Sequence, residues 1–344
     1  MSRRTLVAGS ISLALVGATY AVGLGIRVVA GTAPEVSTQP RTPAQARRTL
    51  ARLGLLESYP FENGFVQTPH GRMHYAEAGS GPPILCIHGN PTWSFLYRKF
   101  LAGLSGSHRV VALDLIGFGL SEKPPHPESY TAEGHVADVV ALIDALDLRD
   151  LTLVVQDWGG PIGIGAAAQR PERVRAIVAM NTWAFAPDPD SPASLPLPLR
   201  VLRVPVVGEE LVQGLAIFNR VFVPLAIARP ERRTPEVRRA YDRVQGSWEE
   251  RAGTLAFPRM IPTSVHHPAA RQLERDDAYL ASFRGRVLLA WGMKDRAFSP
   301  QVLATWRRRF PHAPVLELPD AGHYLQEDAP ERLVPWLARE LSSS

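Results

Sequence analysis

A chain of 344 residues with 45% hydrophobic and 21% charged residues can bury a large core, which excludes a disordered polypeptide. The formal net charge of +5 comes from arginines scattered along the chain in short clusters such as Arg307 to Arg309, so neither a basic stripe nor a nucleic-acid-binding module stands out. The one cysteine, Cys86, excludes an internal disulfide and a cysteine-held metal, and its apolar setting, Pro-Ile-Leu-Cys-Ile-His, reads as strand packing.

In chain order, Arg3 and Arg4 precede an uncharged run from Leu6 to Ile26, long enough as a helix to cross roughly 30 Å of hydrocarbon. Residues 1–30 are therefore expected to be a signal peptide or a membrane anchor. The run is long for a signal-peptide core, and Thr19-Tyr20-Ala21 and Gly31-Thr32-Ala33 are poor cleavage sites, which favours an uncleaved anchor. Two arginines before the span against Arg27 after it place the bulk of the chain outside the cytoplasm. Ser2-Arg3-Arg4-Thr5-Leu6 also carries a faint twin-arginine signature. Residues 31–59 turn to Pro, Thr, Gln and Arg and read as a tether, with a short helix over 44–53.

Beyond the tether, apolar runs at 73–78, 84–88, 110–115, 151–156, 174–180, 287–291 and 315–318 read as strands. Helical patterns lie between them, one with Val136, Val139, Val140, Ile143 and Leu146 on a single face. Such alternation predicts an α/β fold, a mostly parallel sheet covered by helices on both faces. The interval 185–283 breaks the alternation. It is rich in Pro, Arg and Leu, shows no strand pattern, and reads as a helical cap set into a core of 60–184 and 284–344. A cap over the strand ends would enclose a pocket, and its apolar stretch from Val201 to Val207 suits self-association.

Chemistry enters at Val154-Val155-Gln156-Asp157-Trp158-Gly159-Gly160, where a strand turns sharply into a helix. That turn is a nucleophile elbow: paired glycines let the backbone close behind Asp157, whose carboxylate then lies near helix-N-terminal amides. Taken alone, the motif fits a helix-capping aspartate equally well. Three further segments follow strands: Leu113-Asp114-Leu115-Ile116-Gly117, Ala290-Trp291-Gly292-Met293-Lys294-Asp295 and Ala321-Gly322-His323. Nucleophile, acid and histidine thus occur in the order 157, 295, 323, the order in which a hydrolase triad converges on such an elbow. Ile87-His88-Gly89-Asn90-Pro91 follows an early strand, where this fold supplies a second backbone amide near the nucleophile.

Together, His88-Gly89-Asn90-Pro91, Asp157-Trp158-Gly159-Gly160, Asp295 and Gly322-His323 resemble haloalkane dehalogenases of the α/β-hydrolase superfamily, over roughly residues 60 to 340. The resemblance implies an eight-stranded sheet and an Asp157–His323–Asp295 triad. It also implies that the side-chain N–H groups of Asn90 and Trp158 bind halide, and that their backbone amides hold the oxyanion. It implies a small apolar halogenated substrate and neither cofactor nor metal. Some members carry a glutamate acid after the sixth strand; here Met180-Asn181-Thr182-Trp183 offers none, which leaves Asp295, with Trp183 as a residue that either lines the pocket or packs beneath the cap.

Rival readings remain open. An epoxide hydrolase shares the elbow and triad but protonates its substrate from cap tyrosines, here Tyr241 or Tyr279, and usually has an aromatic residue where Asn90 stands. A fluoroacetate dehalogenase would carry arginines after the nucleophile, where Trp158 stands. A membrane-tethered binding protein could keep the fold without the chemistry.

Overall fold

The computed structural model describes residues 39–186 and 195–342. Eight strands form one sheet in the order β1-β2-β4-β3-β5-β6-β7-β8. Strands β1 (Glu62–Thr68) and β2 (Gly71–Ala78) form an antiparallel hairpin, and β2 pairs antiparallel with β4 (Arg109–Leu113). From β4 onward the sheet is parallel through β3 (Pro83–Ile87), β5 (Leu151–Asp157), β6 (Val174–Thr182), β7 (Arg286–Gly292) and β8 (Val315–Leu318). The central strands are buried on both faces, which is why they read as continuous apolar runs instead of alternating ones. Strand β1 was not foreseen. Its sequence, Glu-Asn-Gly-Phe-Val-Gln-Thr, is half-polar because it lies at the sheet edge, and it carries no apolar run to announce it.

Helix α1 (Pro43–Leu53) is capped by the Thr42 side chain and ends on a left-handed Gly54. The stretch expected to be a tether is therefore docked from Pro43 on, with Ala46, Leu50, Leu53, Leu55 and Tyr59 joining the core beside β3 and β4. Helices α2 (Arg98–Leu104), α3 (Ala132–Ala145) and α4 (Gly159–Gln169) cover the sheet. Val136, Val139, Val140 and Ile143 of α3 are all buried, as their spacing predicted. The uncharged run 6–26 lies outside the described residues, and no helix among those described is long and apolar enough to cross a membrane.

The insertion supplies α5 (Leu197–Leu202), two π-helical turns (Glu210–Gly214 and Phe218–Phe222), α6 (Val223–Ala226), α7 (Pro235–Arg243) and α8 (Ala252–Met260). These lie over the strand ends: the Trp93 indole donates to Ala240 O at 3.0 Å and the Gln245 amide to Gly117 O at 2.9 Å. The last helix of the interval, α9 (Pro268–Ser282), leaves the cap and packs on α4 and α3. Gly165 of α4 makes this approach possible, since a Cβ there would overlap the Gln272 amide. The cover consequently ends before α9, earlier than the boundary at 283 read from the sequence. An amphipathic helix presents the same pattern whether its partner is a cap or a sheet layer.

After β7 and β8 the chain closes with α10 (Pro300–Arg309), α11 (Leu325–Asp328) and α12 (Pro330–Ser342). Glu327 of α11 is buried and accepts both Arg98 Nη1 and Nη2, at 2.6 and 2.7 Å, and the Tyr241 hydroxyl of α7 at 2.6 Å. One carboxylate thus ties core, cap and the loop ahead of α11 together. Removing one partner of a buried pair leaves the other charge uncompensated, so Arg98→Met is expected to cost about 3 kcal/mol. Urea denaturation checks this, and an unchanged midpoint would show that the pair does not hold the cap down.

Candidate active site

The parallel strands end on the residues singled out above: His88 after β3, Asp157 on β5, Asn181 on β6, Asp295 after β7 and His323 after β8. Asp157 sits at φ 52°, a left-handed conformation that only a tightly packed corner imposes on a non-glycine residue. Glycines make room for it. A Cβ on Gly89 would overlap the Asp157 carboxylate, one on Gly159 the Ile87 carbonyl, and one on Gly160 the Thr182 hydroxyl. That hydroxyl donates to Asp157 O at 2.5 Å.

The Asp157 side chain is 14% exposed. Its Oδ1 accepts the Asn90 backbone N–H at 2.8 Å, while Oδ2 faces His323 Nε2 at 3.7 Å. His323 Nδ1 lies 2.8 Å from Asp295 Oδ2. Asp295 Oδ1 accepts the Ala297 N–H at 2.7 Å, and its Oδ2 also accepts the Asn181 amide at 2.8 Å. The structure therefore brings Asp157, His323 and Asp295 into one line. His88 acts on the backbone instead. It is buried, which lowers its pKa to about 4, and its Nε2 accepts the Leu115 N–H, so it pins the loop carrying Asn90 against the end of β4.

Burial raises the Asp157 pKa, an effect only partly offset by His323 and by the backbone N–H groups of Trp158 and Asn90. Burial would raise Asp295 too, but the charge and hydrogen bond of His323 outweigh it and hold that carboxyl low. For His323, burial favours the neutral ring, yet Asp295 and then Asp157 prevail and the pKa is raised. The histidine thus keeps its proton to higher pH while Asp157 is negative.

Asn90 and Trp158 flank the carboxylate. The Asn90 amide donates to Thr254 O of α8 at 3.3 Å, and its Oδ1 is buried without a partner. The buried indoles of Trp93, Trp291 and Trp306 each donate to a backbone carbonyl. The Trp158 indole, only 4% exposed, has no such acceptor among the described residues. Trp183 packs edge-on to Trp158 with centroids 5.0 Å apart and stacks on Phe298, which stacks on His323 in turn, so its ring belongs to an aromatic cluster beside the triad. The two cap tyrosines lie elsewhere: Tyr241 is fully buried and bound to Glu327, and Tyr279, on α9, lines a cleft with Gly165, Arg275 and Phe283.

Two contacts escaped the sequence. Gln156 is fully buried, its Nε2 lying 3.0 Å from His323 Nε2 and 3.2 Å from His323 O. Asn181, dismissed as a non-acid, clasps Gly292 through both amide atoms and steers Asp295. A polar residue at the end of a buried strand was the available signal for both. With Asp157 or Asp295 neutralised, the support for imidazolium falls. An NMR titration should therefore show the His323 pKa lowered in Asp157→Asn and lowered further in Asp295→Asn, the partner that holds it more strongly. An unshifted titration in both would break the electrostatic coupling described here.

A family model described as the α/β hydrolase fold matches residues 82–330. A curated protein named haloalkane dehalogenase 2, from Mycobacterium tuberculosis, is 36% identical over 276 residues, covering 80% of this chain and 93% of that protein. A cis-3-alkyl-4-alkyloxetan-2-one decarboxylase from Shewanella oneidensis is also 36% identical, over 278 residues, covering 80% of this chain and 86% of that protein. The crystal structure of haloalkane dehalogenase DbeA from Bradyrhizobium elkani USDA94 superposes with a TM-score of 0.73 at 30% identity, covering 83% of this chain and 100% of that one. With an eight-stranded sheet, an acidic elbow at Asp157 and these relatives, the chain belongs to the α/β hydrolase fold family and is a haloalkane dehalogenase-like hydrolase.

Proposed function

We propose that the chain hydrolyses haloalkanes through an alkyl ester on Asp157. The observation that carries this reading is the asymmetry of the Asp157 carboxylate: Oδ1 accepts the Asn90 N–H at 2.8 Å, and Oδ2 faces His323 Nε2 at 3.7 Å. A carboxylate anchored through one oxygen suits attack on an sp³ carbon through the other. Oδ2 forms the C–O bond while the carbon–halogen bond breaks and the halide leaves with the electron pair. The unengaged Trp158 indole N–H and the second N–H of the Asn90 amide are the donors for that developing charge, preorganised in a site that excludes most water.

The ester then removes the negative charge that helped to keep His323 protonated, so the ring gives up its proton and is neutral, able to accept one from water, at the moment a base is needed. His323 Nε2 takes a proton from water, whose oxygen attacks the ester carbon. The oxyanion develops on Oδ1, against the Asn90 and Trp158 backbone amides. Collapse breaks the bond between the ester carbon and the alkyl-bearing Oδ2, and the departing oxygen takes the proton from His323 and leaves as alcohol; the carboxyl group so formed loses a proton to solvent, and Asp295 stabilises the imidazolium in between.

The epoxide reading loses its support, because Tyr241 spends its hydroxyl on Glu327 and Tyr279 stands on α9. A second reading rests on the equal identity to the curated oxetanone decarboxylase: a strained four-membered lactone offers the same carboxylate a carbon bearing a leaving oxygen. One experiment separates the two. With His323→Phe and a bromoalkane, intact-mass analysis should show the chain gaining one alkyl group as bromide is released, and Asp157→Asn should abolish both signals. Carbon dioxide and alkene from a cis-dialkyl lactone, without halide release from any haloalkane, would move the assignment to decarboxylation.

A further inference from the structure

The basic residues of this chain are not all scattered, and one face collects them beside exposed apolar side chains. Helix α7 buries Val237, Ala240 and Tyr241 and turns Arg238, Arg239 and Arg243 outward. With Arg220 they line a cleft of about 300 Å³, in which Asp242 is the one acid among the lining residues. Asp242 is already committed, to Arg220 at 2.8 Å and to Arg243 at 3.8 Å, so the one carboxylate among the lining residues serves two of the four guanidinium groups. Arg239 donates to Leu53 O and joins α7 to the end of α1. Helix α1 contains no acid and exposes Arg47, Arg48 and Arg52. On the segment that forms the cleft's other wall, Val221 and Leu225 are 43% and 66% exposed, one helical turn apart.

We propose that this face, built by α1, α7 and residues 218–226, docks on an anionic lipid surface. Arginine excess alone would suit any polyanion. The exposed Val221 and Leu225 beside the cleft suit an interface that is charged at its surface and apolar just beneath, which a nucleic acid does not offer. The place of the face in the chain points the same way: α1 is the first helix among the described residues, and the uncharged run from Leu6 to Ile26 precedes it in the sequence. The docked segment also continues into Ala226, whose carbonyl accepts the His323 N–H at 3.1 Å, so it is joined directly to the loop that carries the histidine. The inference does not depend on which bond the site cleaves.

The test uses the full chain on vesicles. The native cysteine, Cys86, is fully buried, so Val221→Cys can be labelled selectively with a polarity-sensitive fluorophore. The label should shift to the blue on vesicles containing phosphatidylglycerol and not on pure phosphatidylcholine, and high salt should reverse the shift. Replacing Arg220, Arg238 and Arg243 together by Gln should abolish it while turnover of a water-soluble substrate is kept. A label at Arg307→Cys on α10 should stay in water on both vesicles. Equal shifts on neutral and anionic vesicles, no shift on anionic vesicles that carry the chain, or an equal shift with a polynucleotide would each overturn the proposal. A shift that grows with protein concentration in the absence of lipid would overturn it in favour of a second copy of the chain.

Discussion

Asp157 occupies a left-handed corner at φ 52° with a carboxylate that is nearly out of water, and neither condition is tolerated unaided. The backbone strain costs about 1–3 kcal/mol for a non-glycine residue. Hydrogen bonds to a charged group contribute about 1.5–3 kcal/mol each, so the Asn90 and Trp158 amides suffice to offset it. They can reach the carboxylate only because positions 89, 159 and 160 have no side chain, which makes three glycines a condition of the acid's placement. The Asn90 amide engages Oδ1 while Oδ2 faces His323, so the contacts that make Asp157 bearable also leave its two oxygens in different surroundings.

The histidine loop is held by an equally explicit set of bonds. Asp328 accepts the backbone N–H groups of Gly322, Ala228 and Arg229, and Ala226 accepts that of His323. Glu327, its neighbour, draws in Arg98 and Tyr241. Cap segment 226–229 and the loop bearing His323 therefore form one hydrogen-bonded unit, and a movement of the cap would be felt at the ring. The Tyr241 hydroxyl serves this strap, which is the physical reason it is not placed to donate a proton to a substrate.

Nothing in the elbow selects a substrate. On the proposed mechanism its carboxylate and imidazole would serve any carbon that bears a leaving group, so selectivity falls to what closes over it. Phe257 of α8 packs edge-on to both Trp158 and Phe118, and Thr254 O receives the Asn90 amide. Helix α8 thus packs against Trp158 and fixes the orientation of the Asn90 amide beside Asp157.

Much of this was legible in the linear chain. Buried parallel strands announce themselves as apolar runs, and a glycine pair behind an aspartate, an acid and a histidine in the order 157, 295, 323 describe an elbow and its partners, because local backbone geometry demands those residue types at those places. The chain was silent where a role depends on a distant partner. Edge strand β1 has too few apolar residues to be seen, α1 reads as a tether until its buried face is matched to the core, and α9 reads as cap until Gly165 shows what it packs against. Gln156 and Asn181 carry no motif at all, and the fate of the Tyr241 hydroxyl is set by Glu327, 86 positions away. Periodicity and turn chemistry are properties of neighbours along the chain, whereas hydrogen-bond partners, exposure and the charge around His323 arise only when the strand ends are gathered under the cap.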